Sequence, residues 1–300
     1  MAMNTFLVSV GLPLVLAVIM FGLGLSLTVA DFTRIAKTPR VVAIALTCQV
    51  IVLPVVAFGL VLLFGLSPIL AVGMLLLAAS PGGTTANLFS HLFRGDVALN
   101  VSLTAINSVL AVVTVPLVTN LAIEYFEPMG DADAIGLQMG KVIQVFAMVL
   151  VPVAVGMLVR RWSVGFALRM ERPVRIGSAV TLLLVIAGAV LSDRGEPDPA
   201  LADVGAITMV FCLISLGVGY LAPRLLGVTY RQAVACSMEV GLHNSTIALT
   251  IALSVIGSTE MALPAAIYGV VMFPLAAGFG WLITRRRTPD SREHDANVPV

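Results

Sequence analysis

Residues 41–64 run for 24 positions without an Asp, Glu, Lys or Arg, and comparable apolar runs recur along most of the chain. A helix of about 20 apolar residues crosses the hydrocarbon core of a bilayer. In that core every backbone polar group must find its partner within the protein, which leaves helices as the fitting element for runs of this length. The pattern reads as an all-α polytopic membrane protein with nine transmembrane helices, at roughly 5–27, 41–64, 69–92, 97–123, 138–159, 176–192, 202–222, 232–256 and 262–284. Composition agrees: 59% of residues are hydrophobic and 11% charged, against about 45–50% and about 25% in a soluble domain. The connections are too short for a soluble domain. Met1–Asn4 carries no basic residue and the apolar run behind it is too long for a signal peptide.

Charge sets the expected orientation. With nine spans, every Lys and Arg except Arg194 and Lys141 falls on the side that holds the C-terminus. Basic residues collect on the cytoplasmic side, so the expected topology is N-terminus outside and C-terminus cytoplasmic, with residues 285–300 as a cytoplasmic tail. The expected location is a bacterial inner membrane. The basic residues are scattered between apolar runs rather than massed on one face, which excludes a nucleic-acid partner. Cys48, Cys212 and Cys236 lie in apolar segments and read as small packing residues.

Two spans are interrupted. Ser80-Pro81-Gly82-Gly83-Thr84-Thr85-Ala86-Asn87 sits in mid-span, where proline removes a donor and glycine resists unwinding little. The eighth span carries an expected break over Glu239–Asn244, around Gly241. Asn87 precedes Pro116 by 29 residues and Asn244 precedes Pro274 by 30. The third span runs inward and the eighth outward, so the halves form inverted repeats. Paired interrupted helices at matching places point to the binding site of a secondary transporter.

Glu239 is the acidic residue placed inside a long apolar segment. An ionisable group at membrane depth is expensive and marks a functional site by default. Asn100, Thr104, Asn107 and Ser108 share one helical face, and Gln49 is a lone amide in an aliphatic run. That face either glues helices together or offers oxygens to an ion. A hard cation such as Na⁺ needs several oxygens in place of its water, and the break over Val240–Leu242 is expected to free carbonyls. His243 stands alone, with no zinc-ligand spacing around it. A proton carried on Glu239 is the alternative.

Pro81-Gly82-Gly83-Thr84 with Asn87, Arg94-Gly95-Asp96-Val97-Ala98-Leu99, and Glu239-Val240-Gly241-Leu242-His243-Asn244-Ser245 together resemble the bile acid:sodium symporter family. The likeness runs through essentially the whole chain, including Met20–Leu25 and Gln49 ahead of Pro54, in the nine-helix form. The resemblance implies a core domain (about 41–123 and 202–284) and a panel domain (about 5–27 and 138–192), with two broken helices crossing in the core. It implies one Na⁺ site at Asn87, Asn100, Thr104 and Glu239. A second would use Gln49, Glu239, His243 and the carbonyls of Val240 and Leu242. Ala86 and Asn100 stand where the family usually has serine, and His243 where it has glutamine, so one Na⁺, two Na⁺ or a proton stay open.

The helix halves beyond each break begin with unpaired N–H groups that favour an anion. The expected cargo is one small organic carboxylate, such as a bile-acid-like or pantoate-like anion, docking at Thr84 and Asn244. No protein partner is evident; membrane lipid surrounds the chain. Two Na⁺ per monoanion would carry net charge, at about 2.3 kcal/mol per 100 mV, and one would be electrically silent. An arsenite- or auxin-type carrier is the alternative within the superfamily. An intramembrane enzyme lacks a second carboxylate or activated serine, and a non-transporting scaffold would need no ion response.

Overall fold

A computed structural model describes residues 38–127, 139–170 and 199–285, together with 17, 18, 21, 22, 24, 25 and 173; side chains are described for most of these, though not for Thr84, 139–150, 199–200 or Ser254. The helices are α1 (Pro39–Phe64), α2 (Pro68–Ala79), α3 (Thr84–Leu92), α4 (Val97–Phe126), α5 (Met139–Trp162), α6 (Pro199–Leu225), α7 (Tyr230–Gly241), α8 (Ser245–Thr250, running on as a wider π turn over Ile251–Ile256) and α9 (Thr259–Thr284). Among the described residues α1, α4, α9 and Leu201–Leu225 of α6 are long and apolar enough to cross a membrane. The sixth expected span and all but scattered positions of the first lie outside the described residues, as does 286–300.

Among the described residues many large apolar side chains face outward, while several polar ones are buried. Leu63, Val113, Leu121 and Leu225 are exposed, whereas Asn100, Thr104, Asn107 and Glu239 are buried. That inversion suits a lipid surround, where the outward face gains nothing from charge and interior polar groups satisfy each other. The main apolar cluster joins all nine helices, α3 through Ala86 and α5 through Val153. Small residues allow the close approaches: a Cβ on Gly73 of α2 would strike the Met261 carbonyl of α9, and one on Gly219 of α6 would lie 2.9 Å from the Cys236 carbonyl of α7. Elsewhere Gly24 lies backbone to backbone against Gly156 of α5, and Arg160 Nη1 donates to the Leu25 carbonyl at 2.6 Å.

The first interruption falls where the prolyl argument puts it. Ser80, ahead of Pro81, is extended (φ −68°, ψ 142°), because a following proline disfavours the helical region. The chain re-enters a helix at Thr84, so Thr85, Ala86 and Asn87 are helical and only Ser80–Gly83 is unwound. The second interruption is shorter than expected. Glu239, Val240 and Gly241 remain helical, and the chain leaves the helix only over Leu242–Asn244. Gly241 therefore does not unwind the helix. It has no space for a Cβ because Leu216 of α6 presses on it, and its missing side chain serves packing.

Candidate cation site at the helix crossing

The two interruptions touch. Gly82 and His243 pair as an isolated antiparallel bridge, and Asn244 N–H donates to the Pro81 carbonyl at 2.7 Å. Each unwound stretch thus supplies backbone partners to the other, which offsets the cost of leaving helical pairing in a dry interior. Asn244 also caps α8, its Oδ1 accepting from Ile247 N–H at 3.3 Å.

Behind this bridge, α7 presents Glu239 to α4. Its side chain is 0% exposed. Asn100 Nδ2 donates to Oε2 at 2.8 Å, Thr104 Oγ1 donates to the same oxygen at 2.5 Å, and Asn107 Nδ2 donates to Oε1 at 2.9 Å. Positions i, i+4 and i+7 form one stripe on α4, so a single helix grips the carboxylate along its length. Such charge-assisted bonds are the strong ones, yet none of the three donors carries a formal charge. Among the described residues no Lys or Arg is buried to neutralise it.

The amide orientations follow from the carboxylate. Asn100 and Asn107 must turn their NH₂ groups to Glu239, so their Oδ1 atoms face away, and both are buried without a partner. Asn87 Oδ1, on α3, is likewise buried and unpartnered. Unmatched oxygens on the two amides that hold an unneutralised carboxylate, with a third on α3, make up a donor set suited to a hard monovalent cation.

Of the expected first set, Asn100, Thr104 and Glu239 come together, while no bond joins Asn87 to them. Asn107 is the member that the expected ligand set omits. It lies on the polar stripe already visible in the sequence, and its spacing from Asn100 was the signal that could have found it. Of the second set, Gln49 and His243 meet: Gln49 Nε2 lies 3.3 Å from His243 Nδ1. Gln49 is turned inward by a π turn over Cys48–Val52, just ahead of Pro54, a local widening often found at functional positions. Glu239 binds only the α4 stripe. Val240 stays helical in the last turn of α7, but the N–H four residues on, that of Asn244, donates to Pro81 rather than to its carbonyl; Leu242 opens the interruption. Thr84 and Asn244 begin or precede the two second half-helices, with Gly83 close to Asn244; the side chain of Thr84 lies outside the described residues. Cys48, Cys212 and Cys236 are buried and free.

The model of the sodium bile acid symporter family matches residues 13–196. The chain belongs to that family. It is similar, at 29% identity over 85% of its own length and 77% of the relative, to an uncharacterized sodium-dependent transporter, YocS, of Bacillus subtilis. It is 31% identical over 93% of its length to a probable sodium/metabolite cotransporter, the chloroplastic BASS1 of Arabidopsis thaliana, covering 67% of it. It is 26% identical over 83% of its length to the ileal sodium/bile acid cotransporter of the rabbit, Oryctolagus cuniculus, covering 71% of it. Membership makes this chain a multi-pass membrane transporter and not an enzyme, in a family whose named members depend on sodium.

Proposed function

We propose that this protein is a secondary active carrier that couples Na⁺ to the inward movement of a small organic monoanion by alternating access. The observation that carries the reading is the Glu239 carboxylate, fully buried and held by Asn100, Thr104 and Asn107. It lies against the first of two interrupted helices that meet there, and the two amides that hold it keep unpartnered oxygens. Sodium neutralises the carboxylate, using oxygens from Asn100, Thr104, Asn107 and, from α3, Asn87. The neutralised site steadies the crossing, and the positive ends of α3 and α8 at Thr84 and Asn244 then receive the anion's carboxylate. Because each ligand favours the arrangement that the other needs, the coupling is reciprocal.

On this reading the chain has nine spans in a bacterial inner membrane, with the C-terminus cytoplasmic. Spans 2–4 and 7–9 form the core, and the panel is built from spans 1, 5 and 6. The packing of Gly24 on Gly156 and the Arg160–Leu25 bond support grouping the first and fifth spans. An arsenite-type carrier is disfavoured, since the three cysteines are buried in apolar segments and form no thiolate motif.

The test is a thermal-shift screen of small carboxylates with the purified chain in Na⁺ and in K⁺ buffer. Uptake of the best stabiliser into proteoliposomes with and without an inward Na⁺ gradient follows. Stabilisation by a carboxylate that requires Na⁺, and uptake driven by the gradient, is the expected outcome. Equal behaviour in Na⁺ and K⁺ would overturn it.

A further inference from the structure

A second polar centre lies around the carbonyl of Ser80. Gln49 Nε2 donates to that oxygen at 3.0 Å, and His243 Nδ1 lies 3.0 Å from it. A carbonyl only accepts, so the Nδ1–H tautomer satisfies the arrangement and both nitrogens point their hydrogens at Ser80. The 3.3 Å approach of those nitrogens is the consequence of sharing one acceptor. The imidazole packs against two rings: it stacks on Phe211 at 5.3 Å and meets the edge of Tyr268 at 5.5 Å. Its residue is 1% exposed.

Two further carbonyls at the interruptions are also taken. Pro81 accepts from Asn244 N–H, and Gly241 accepts from the Tyr268 hydroxyl at 2.8 Å, with Cys212 Sγ at 3.9 Å. A cation placed here would have to displace donors that already satisfy the carbonyls. No further carboxylate would offset its lost hydration, because Glu239 is the sole buried acid among the described residues. The unpartnered atoms of this centre are Gln49 Oε1 and His243 Nε2. Gln49 lines a small cavity with Val50, Pro54, Ala79 and Asn107, whose Oδ1 is also unpartnered. Together these are two amide oxygens and one ring nitrogen, all neutral and too few to replace a cation's water shell.

We infer that the His243 imidazole takes the place of a second coupling cation, its N–H filling the space between Ser80 and Gln49, so that the carrier binds a single Na⁺ at Glu239 and moves it with one monoanion, carrying no net charge. The inference rests on the sodium-coupled reading above and specifies its stoichiometry. A glutamine at this position would remove the ring and add an amide oxygen, opening the same space to an ion.

Equilibrium binding of radiolabelled Na⁺ to the purified full-length chain decides it. The wild type is expected to saturate at about one ion per chain without cooperativity, and His243→Gln at about two with a sigmoidal isotherm. Saturation of the wild type at about two ions overturns the inference while leaving sodium coupling intact. So does His243→Gln staying at about one, which would show that the ring is not what excludes the second ion. The wild-type count stands by itself if the variant does not fold. Absence of any Na⁺ binding by the wild type would instead overturn the sodium reading itself.

Discussion

Gly82 lies so close to Glu239 that a Cβ on the glycine would overlap the carboxylate Oε1 and sit 2.8 Å from the Glu239 carbonyl oxygen. The first interruption therefore forms one wall of the carboxylate's pocket, and a methyl group cannot be added there without moving the acid. Gly82→Ala is expected to abolish Na⁺-dependent thermal stabilisation and to destabilise the protein by about 1–3 kcal/mol, the usual cost of overpacking. Gly59→Ala is the control, since nothing lies within 4 Å of its added Cβ; it should stabilise α1 by about 0.5–1 kcal/mol. Melting curves in Na⁺ and K⁺ read both, and an unchanged sodium shift in Gly82→Ala would count against the pocket.

Glu239→Gln keeps the shape and removes the charge. The variant should remain folded in K⁺ and lose its Na⁺-dependent shift, because three neutral donors then surround a neutral group. A full sodium shift in this variant would remove Glu239 from the ion site.

Asn107→Ala tests the residue that the expected ligand set omitted. It deletes the bond to Oε1 and an unpartnered amide oxygen. A bond to a charged group is worth about 1.5–3 kcal/mol, so the Na⁺ concentration for half-saturation should rise about tenfold or more. Titration of the melting temperature with NaCl measures it; a value equal to wild type would confine the site to Asn100 and Thr104.

Tyr268→Phe removes the hydroxyl that satisfies the Gly241 carbonyl. A buried carbonyl left with only a distant thiol costs about 1–3 kcal/mol. The melting temperature should fall in Na⁺ and K⁺ alike while the sodium shift persists, since Tyr268 belongs to the scaffold of the crossing. Loss of the sodium shift would assign it to the ion site.

The helices among the described residues were largely legible because their causes are local. Run length sets where a helix can cross a bilayer, so α1, α4 and α9 begin and end within a few residues of expectation. The Ser80–Gly83 interruption follows from Pro81 and its neighbours. Glu239 stood out because a carboxylate in an apolar run has few structural uses. The second interruption was harder to place: Gly241 has the composition of a break, yet its small size answers to Leu216, a residue on another helix.

What the chain alone determined is therefore the kind of its apolar segments, the proline-bearing interruption and the presence of one costly acid. Tertiary structure alone decided which oxygens surround that acid, that Asn107 joins them, and that Gln49 and His243, 194 positions apart, converge on the Ser80 carbonyl. Helix-forming tendency and hydrophobicity act over a few residues. The partners of a buried polar group depend on how distant helices are rotated against one another, and no neighbouring residue in the chain encodes that angle.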